Sequence, residues 1–323
     1  AATVTVSETL GEVLSNSITL NDNKIGASST SNSALGIAQA SASSSAFTGS
    51  VAVTNIQTNK IEDVTATQTA SVTGGNIQAD LRNDGEGETA LTGTLSLNGN
   101  AVTAQALGNT AGARNSLGNI AAGNAILFDG NADITGSTAP LGLGDPEVAR
   151  QSYIRAGSTA TVADLLINNV QVSQGNSFLG SINGSSMSSK VDFLEGGSIN
   201  QSGNTQAATV STNLAGNLIS AGSSASVGNL VANAAIVNAQ NNTGVEAVAT
   251  VDTAAQSVTV GNTSLIVGSV SLNDNSITAT AEGNVAASTL SLKASNVSVG
   301  GNGGNTVSVL PVASGDGNVV ASD

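Results

Sequence analysis

The chain has 323 residues and a net charge of −14, with 9% charged, 39% hydrophobic and 2% aromatic residues. Eight scattered Lys and Arg exclude a polyanion-binding surface, and the apolar fraction excludes a chain held unfolded by its charge. The absence of Cys and His removes disulfides, zinc-thiolate sites and His-assisted nucleophiles, so the residues predict a non-enzymatic protein.

Taken from the N-terminus, Thr3-Val4-Thr5-Val6 reads as a low-charge strand. A start at Ala1 without an initiator Met is what a processed, secreted chain looks like. Ser17-Ile18-Thr19-Leu20-Asn21-Asp22-Asn23-Lys24-Ile25 follows, and it returns almost unchanged near the other end as Ser269-Val270-Ser271-Leu272-Asn273-Asp274-Asn275-Ser276-Ile277. Thr65-Ala66-Thr67-Gln68-Thr69 raises ice binding, but the Thr positions keep no fixed period. Asp84, Glu86 and Glu88 alternate with Gly, which is the pattern of a solvated turn rather than of a tuned carboxylate pair.

Variants of the repeated motif fill the middle of the chain. Thr94 to Gly108 alternates Leu95, Leu97, Val102, Ala104 and Ala106 around Asn98 and Asn100; Asp164 to Asn176 does the same around Asn168 and Asn169, and a third variant begins at Leu230. Period-two alternation predicts strands with one buried face. Gly-Asn doublets recur from 75–76 to 317–318 and predict corners, since both residues tolerate positive φ.

Short strands between such corners predict an all-β fold, a parallel β-solenoid spanning residues 1–323 as one domain, with irregular coils of roughly 20 residues. At about 4.8 Å per coil this gives about 16 coils and a rod near 75 Å. The recurrent amides, Asn21, Asn23, Asn98, Asn100, Asn168, Asn273 and Asn275, predict hydrogen-bonded ladders along the stack.

Two segments stand apart. Asp129-Gly130-Asn131-Ala132-Asp133 begins like an oxygen-ligand loop, making Asp129, Asn131 and Asp133 weak calcium candidates, but it lacks the glycine and the distal Glu that complete one. Otherwise no cofactor is expected. Residues 139–155 hold two of the three prolines and the sole tyrosine, and predict a protruding loop with Arg150, Tyr153 and Arg155 as lateral contacts. No apolar run approaches the ~18 residues that would span a bilayer.

Asn305 to Val312 ends the chain in strand-like residues. An uncapped parallel stack leaves two open edges, so Thr3, Val4, Thr5 and Val6 at one end, and Val307, Val309, Leu310 and Val312 at the other, predict subunit interfaces. The Leu272 to Asn284 motif resembles the Asn- and Ala-rich repeats of secreted bacterial fibre proteins, of the curlin and holdfast-anchor kinds. That resemblance implies a structural protein of the cell surface or extracellular matrix that serves in attachment. The reading is a chain whose partner is itself, polymerising head-to-tail, with no nucleic acid and no membrane span. The alternative is a monomeric adhesin or phage-type fibre stalk binding glycans along its side, with a polysaccharide-degrading enzyme or an ice-binding protein behind it.

Overall fold

The computed structural model describes residues 2–7, 13–42, 47–48, 51–60, 67–82, 90–114, 119–130, 134–135, 165–223, 229–231, 234–261, 266–293, 296–298 and 307–322. Residues 139–155 lie outside them. Every element among the described residues is a β-strand, and the strands form five sheets. Pairing is parallel except where Gly112–Arg114 meets Ile120–Ala122 antiparallel.

Each sheet takes its strands from the same four stretches of chain, in chain order from one edge to the other. These stretches, here called passes, are residues 3–73, 76–183, 186–252 and 255–322. Sheet 1 pairs Thr3–Ser7, Asn76–Leu81, Ser186–Val191 and Ala255–Val260 in that order. Sheet 2 runs from Val13–Leu14 and Ile18–Thr19 through Thr94–Asn98 and Phe193–Ser202 to Ile266–Asn273. Sheet 3 runs from Lys24–Ser33 through Ala101–Arg114 and Thr205–Ser223 to Ser276–Lys293. Sheet 4 is short, and sheet 5 runs from Val51–Lys60 through Leu165–Gln174 and Ala234–Asp252 to Val307–Ser322.

This corrects the expected coil length. Hydrogen-bonded partners lie much further apart than 20 residues: Ala101 pairs with Thr205, and Thr205 with Ser276. The local units were legible, but the chain goes through all five sheets before a strand meets its partner. Four strands per column correspond to about 19 Å of stack rather than 75 Å.

The interior follows from side-chain size. Sheet 3 sends Val102, Ala104, Ala106, Ala208 and Val210 inward, where they meet Phe178, Ile182, Ala247 and Ala249 of sheet 5, all within the main core. The facing backbones come close: a Cβ on Gly180 would stand 3.0 Å from Thr209 O. Small residues are therefore required, which accounts for the scarcity of aromatics. A second apolar cluster gathers Val53, Ile126, Leu165, Ile167, Ile219 and Ile236, and between the two lies a zone of buried amides.

Candidate functional site: amide columns and open edges

At the corner between sheets 2 and 3, the second residue of each turn is left-handed in every pass: Asp22 (φ 58°), Gly99 (64°), Gly203 (64°) and Asp274 (54°). Only such a residue reverses the chain this tightly, and Gly or Asp accepts the conformation best. The turn delivers the next residue, an Asn in all four passes, to the core side. Asn23 Nδ2 donates to Asn100 Oδ1 (3.0 Å), Asn100 Nδ2 to Asn204 Oδ1 (3.0 Å), and Asn204 Nδ2 to Asn275 Oδ1 (3.1 Å). The same oxygens also accept the backbone N–H of the preceding Asn. The second amide hydrogen caps a corner carbonyl one pass back, from Asn100 to Leu20, Asn204 to Leu97 and Asn275 to Gln201. Asn100 and Asn204 are wholly buried, so this column satisfies the polar groups the corner would otherwise strand.

A second column lies mid-strand. Asn32 donates to Asn109, Asn109 to Asn213 and Asn213 to Asn284, at 2.7, 2.8 and 2.7 Å. Each also reaches a carbonyl of sheet 5: Thr58, Val172, Asn241 and Gln240 in turn. Sheet 5 answers with glutamines running the opposite way, Gln240 donating to Gln171 and Gln171 to Gln57, each at 2.7 Å. These three cap the carbonyls of Thr110, Leu214 and Val285 in sheet 3. The two facing sheets are thus stitched in both directions, and hydrogen bonds shielded from water in this way specify register as well as stability.

The residues singled out in the sequence fall as follows. Asn23, Asn100 and Asn275 share the corner column with Asn204, which sequence reasoning missed. Asn21, Asn98 and Asn273 stand two residues earlier, on the outside; Asn21 Oδ1 accepts from Asn98 N, and Asn98 and Asn273 donate to Ser96 and Ser271 on their own strands. Asn168 is not in an amide column, because it pairs in register with Thr54 and Val237. Its neighbour Asn169 donates to Asn238 instead. The side chains of Asp129, Val307, Val309, Leu310 and Val312 are not among those described, and Asn131, Asp133, Arg150, Tyr153 and Arg155 lie outside the described residues. Among the described residues no group of three His, Cys, Asp or Glu gathers to hold a metal, and no helix is long and apolar enough to cross a membrane.

Thr3, Val4, Thr5 and Val6 form the edge strand of sheet 1, paired on one side to Asn76–Ala79. Val307, Val309, Leu310 and Val312 lie on the opposite edge but in sheet 5. The two sets therefore belong to different columns and do not face each other across a stack. Apolar columns open to solvent at the edges: Val6 is 36% exposed above a buried Ala79, and Val270 and Leu272 are 43% and 45% exposed beside the fully covered columns of Leu95 and Leu97.

On the outside of sheet 1, Asp80 accepts two hydrogen bonds from the Arg82 guanidinium (2.8 and 2.7 Å) and lies 3.4 Å from Lys190 on the neighbouring strand. The Arg82 hydrogen bonds lower the Asp80 pKa below 3.8, against a smaller opposing effect of burial and with help from the nearby positive charges. A lowered folded-state pKa contributes stability that is complete above the unfolded value and is lost as pH falls through the folded one. Urea titrations should accordingly show Asp80→Asn losing a small amount of stability at pH 7, as for partly exposed pairs, a difference that disappears as the pH falls below about 4 and so flattens the acid limb. An unchanged acid limb would remove Asp80 from that role.

These features define an all-β protein of parallel sheets pinned by internal amide columns. No family model, curated protein or solved structure matches the chain.

Proposed function

We propose that the chain is a structural β-solenoid subunit that polymerises head-to-tail into a filament of the cell surface or extracellular matrix, used in attachment. The observation that carries this reading is the pair of open parallel edges. In the 323-residue chain the strands of the first and last passes are paired on one side only, among the described residues. Apolar side chains reach solvent there, Val6 on the first pass and Val270 and Leu272 on the last, while Leu20 and Ile25 of the first pass stay covered. Unpaired edge N–H and C=O groups template a further strand, and a contact between unlike surfaces extends into a filament unless it closes into a ring. Placement outside the cell and the role in attachment are supported by the resemblance of residues 272–284 to secreted fibre repeats.

Electron microscopy of the purified chain tests the reading. Unbranched filaments with a subunit repeat of about 19 Å, four strands at ~4.8 Å, are the expected result. A chain that sediments as a monomer at every concentration would overturn it and turn attention to the glycan-binding stalk.

A further inference from the structure

In sheets 1, 2 and 3 the first and last passes share a spacing that adjacent passes do not; in sheets 4 and 5 the corresponding differences, Phe47 to Val297, Val51 to Val307 and Thr67 to Asn318, are 250, 256 and 251. Followed through the pairings, Thr3, Leu14, Ile18, Lys24 and Gly36 stand in the columns of Ala255, Ile266, Val270, Ser276 and Ser288. The differences 255 − 3, 266 − 14, 270 − 18, 276 − 24 and 288 − 36 are all 252. From the first pass to the second, by contrast, Thr3 to Asn76 is 73, Lys24 to Ala101 is 77 and Gly36 to Asn124 is 88. Corners of equal length let strands in three sheets pair at once, whereas unequal ones require a bulge or a loop.

We propose that sheets 1 to 3 of successive copies of this chain stack in the single register n to n − 252, with the Ala255–Lys293 edge of one copy under residues 3–41 of the next and Asn275 donating to Asn23. This rests on the polymer reading and specifies its junction. The side chains agree with it. Val270, Leu272, Ile277 and Ala279 would meet Ile18, Leu20, Ile25 and Ala27 of the next copy, apolar on apolar, while in the same register Gln256 would meet Val4 and Ala281 would meet Ser29. The corner amide column also ends on complementary atoms. Among the described residues Asn275 Nδ2 makes one hydrogen bond, to Gln201 O, which leaves a second hydrogen to give, and Asn23 Oδ1 accepts from no donor. Stacking would extend the column with the bond that already joins each pass to the next.

One position resists. Asp22 and Asp274 occupy the same left-handed column, where both middle passes have glycine. The Asp22 carboxylate fills the space a Cβ on Gly99 would need, whereas a Cβ on Gly203 would meet nothing nearer than Gly99 N at 3.9 Å, so Asp274 does not lie over its neighbour in the same chain. The junction brings these two like charges face to face, which weakens pairing and acts as a brake on edge association. Asp274→Gly restores the corner of the middle passes and is expected to lower the critical concentration for assembly about two- to fivefold. Added salt, by screening, should narrow that difference.

Cysteine pairing reads the register directly, because the chain has no Cys of its own. Ser28 and Thr280 are exposed members of one column, joined through Gln105 and Thr209. Within a copy they are three strand spacings apart, about 14 Å, beyond disulfide reach; across the proposed junction they are adjacent and within it. Mild oxidation of the Ser28→Cys, Thr280→Cys variant should give covalent multimers on denaturing gels. The Ser28→Cys, Thr289→Cys variant, with its second thiol nine residues away along the strand, should not. The Lys24→Cys, Ser276→Cys variant is an independent second pair in the same register. Filaments by microscopy without multimers from either in-register pair would overturn the register and leave the polymer standing. Absence of filaments from the unmodified chain would remove the polymer reading itself.

Discussion

Asn204→Asp is expected to cost about 4 kcal/mol of stability at pH 7, far more than the same change at Asn273. Asn204 is wholly buried. Its Oδ1 accepts from Asn100 N and Nδ2, and its Nδ2 donates to Leu97 O (2.8 Å) and Asn275 Oδ1 (3.1 Å). Aspartate keeps the two acceptor contacts but replaces the donor with an oxygen aimed at two other oxygens. Two buried acceptors then lose their donor, at about 1–3 kcal/mol each, and a carboxylate is desolvated among them. Burial raises the pKa of the new acid. Its penalty is therefore complete above that raised value and partly relieved as the pH falls below it, when a proton restores one donor. Asn273 is exposed and, among the described residues, its amide bonds only Ser271 Oγ on its own strand, so Asn273→Asp should cost less than about 1 kcal/mol. Urea unfolding of both variants at pH 7 and pH 4 decides the matter. Equal losses for the two would mean that the column contributes no more than a surface residue.

The same column shows how far the sequence was legible. Alternation identified Leu95 and Leu97 as one buried face, and both are fully covered in Thr94–Asn98. Repetition picked out Leu-Asn-Asp-Asn at 20–23 and 272–275 as a duplicated motif, and the structure makes each of them a corner. The doublet Gly203-Asn204 reads as a corner, but the sequence does not place Asn204 in the ladder, because Gln201 stands in the column of Leu97 and hides the repeat. A turn needs only a left-handed residue followed by an amide; the letters before it are free to change. Register was hidden for a different reason. The column joins residues 77, 104 and 71 apart, and no fixed period survives insertions of that size. Asp164 to Asn176 looked like Thr94 to Gly108 because both contain a strand, a turn and an amide, yet Leu165–Gln174 belongs to sheet 5 and Thr94–Asn98 to sheet 2. Local patterning encodes the unit, whereas the order in which units meet is set by long-range pairing. Some Gly-Asn doublets were not corners either: Gly108–Asn109 and Gly283–Asn284 lie inside continuous strands, where the amide stitches two sheets together.

Low charge, few aromatics and many amides can be traced to one cause. Facing sheets that come within reach of each other's carbonyls leave little room for large side chains, and the polar backbone groups so enclosed need donors. Asn109 and Gln171 supply them from opposite sides, Asn109 to Val172 O at 3.0 Å and Gln171 to Leu214 O at 3.0 Å. Such a core needs shape and pairing more than bulk, and it makes any large residue an exception that its neighbours must accommodate.

Phe178 is that exception, and Phe178→Ala is expected to cost about 3–5 kcal/mol, the usual range for a buried aromatic. It is the largest of the fully buried side chains among the described residues. Its column neighbours are Gln68 and Ala247, and its ring Cζ would lie 3.0 Å from a Cβ on Gly108. The ring is admitted because sheet 3 presents bare backbone there. Phe178→Leu keeps most of the apolar volume and should cost less than about 1.5 kcal/mol. Gly108→Ala meets two obstacles, the ring and the carbonyl oxygen of Thr212, which stands even closer to the new methyl. The ring can tilt, but Thr212 is held in the ladder between Ser211 and Asn213, which pair with Leu107 and Asn109. Shrinking the ring should therefore fail to rescue the alanine. Chemical denaturation of Gly108→Ala alone and combined with Phe178→Leu should show both losses remaining. Recovery in the double variant would mean that the ring alone sets the glycine requirement, and that the strand is freer at Thr212 than its pairing implies.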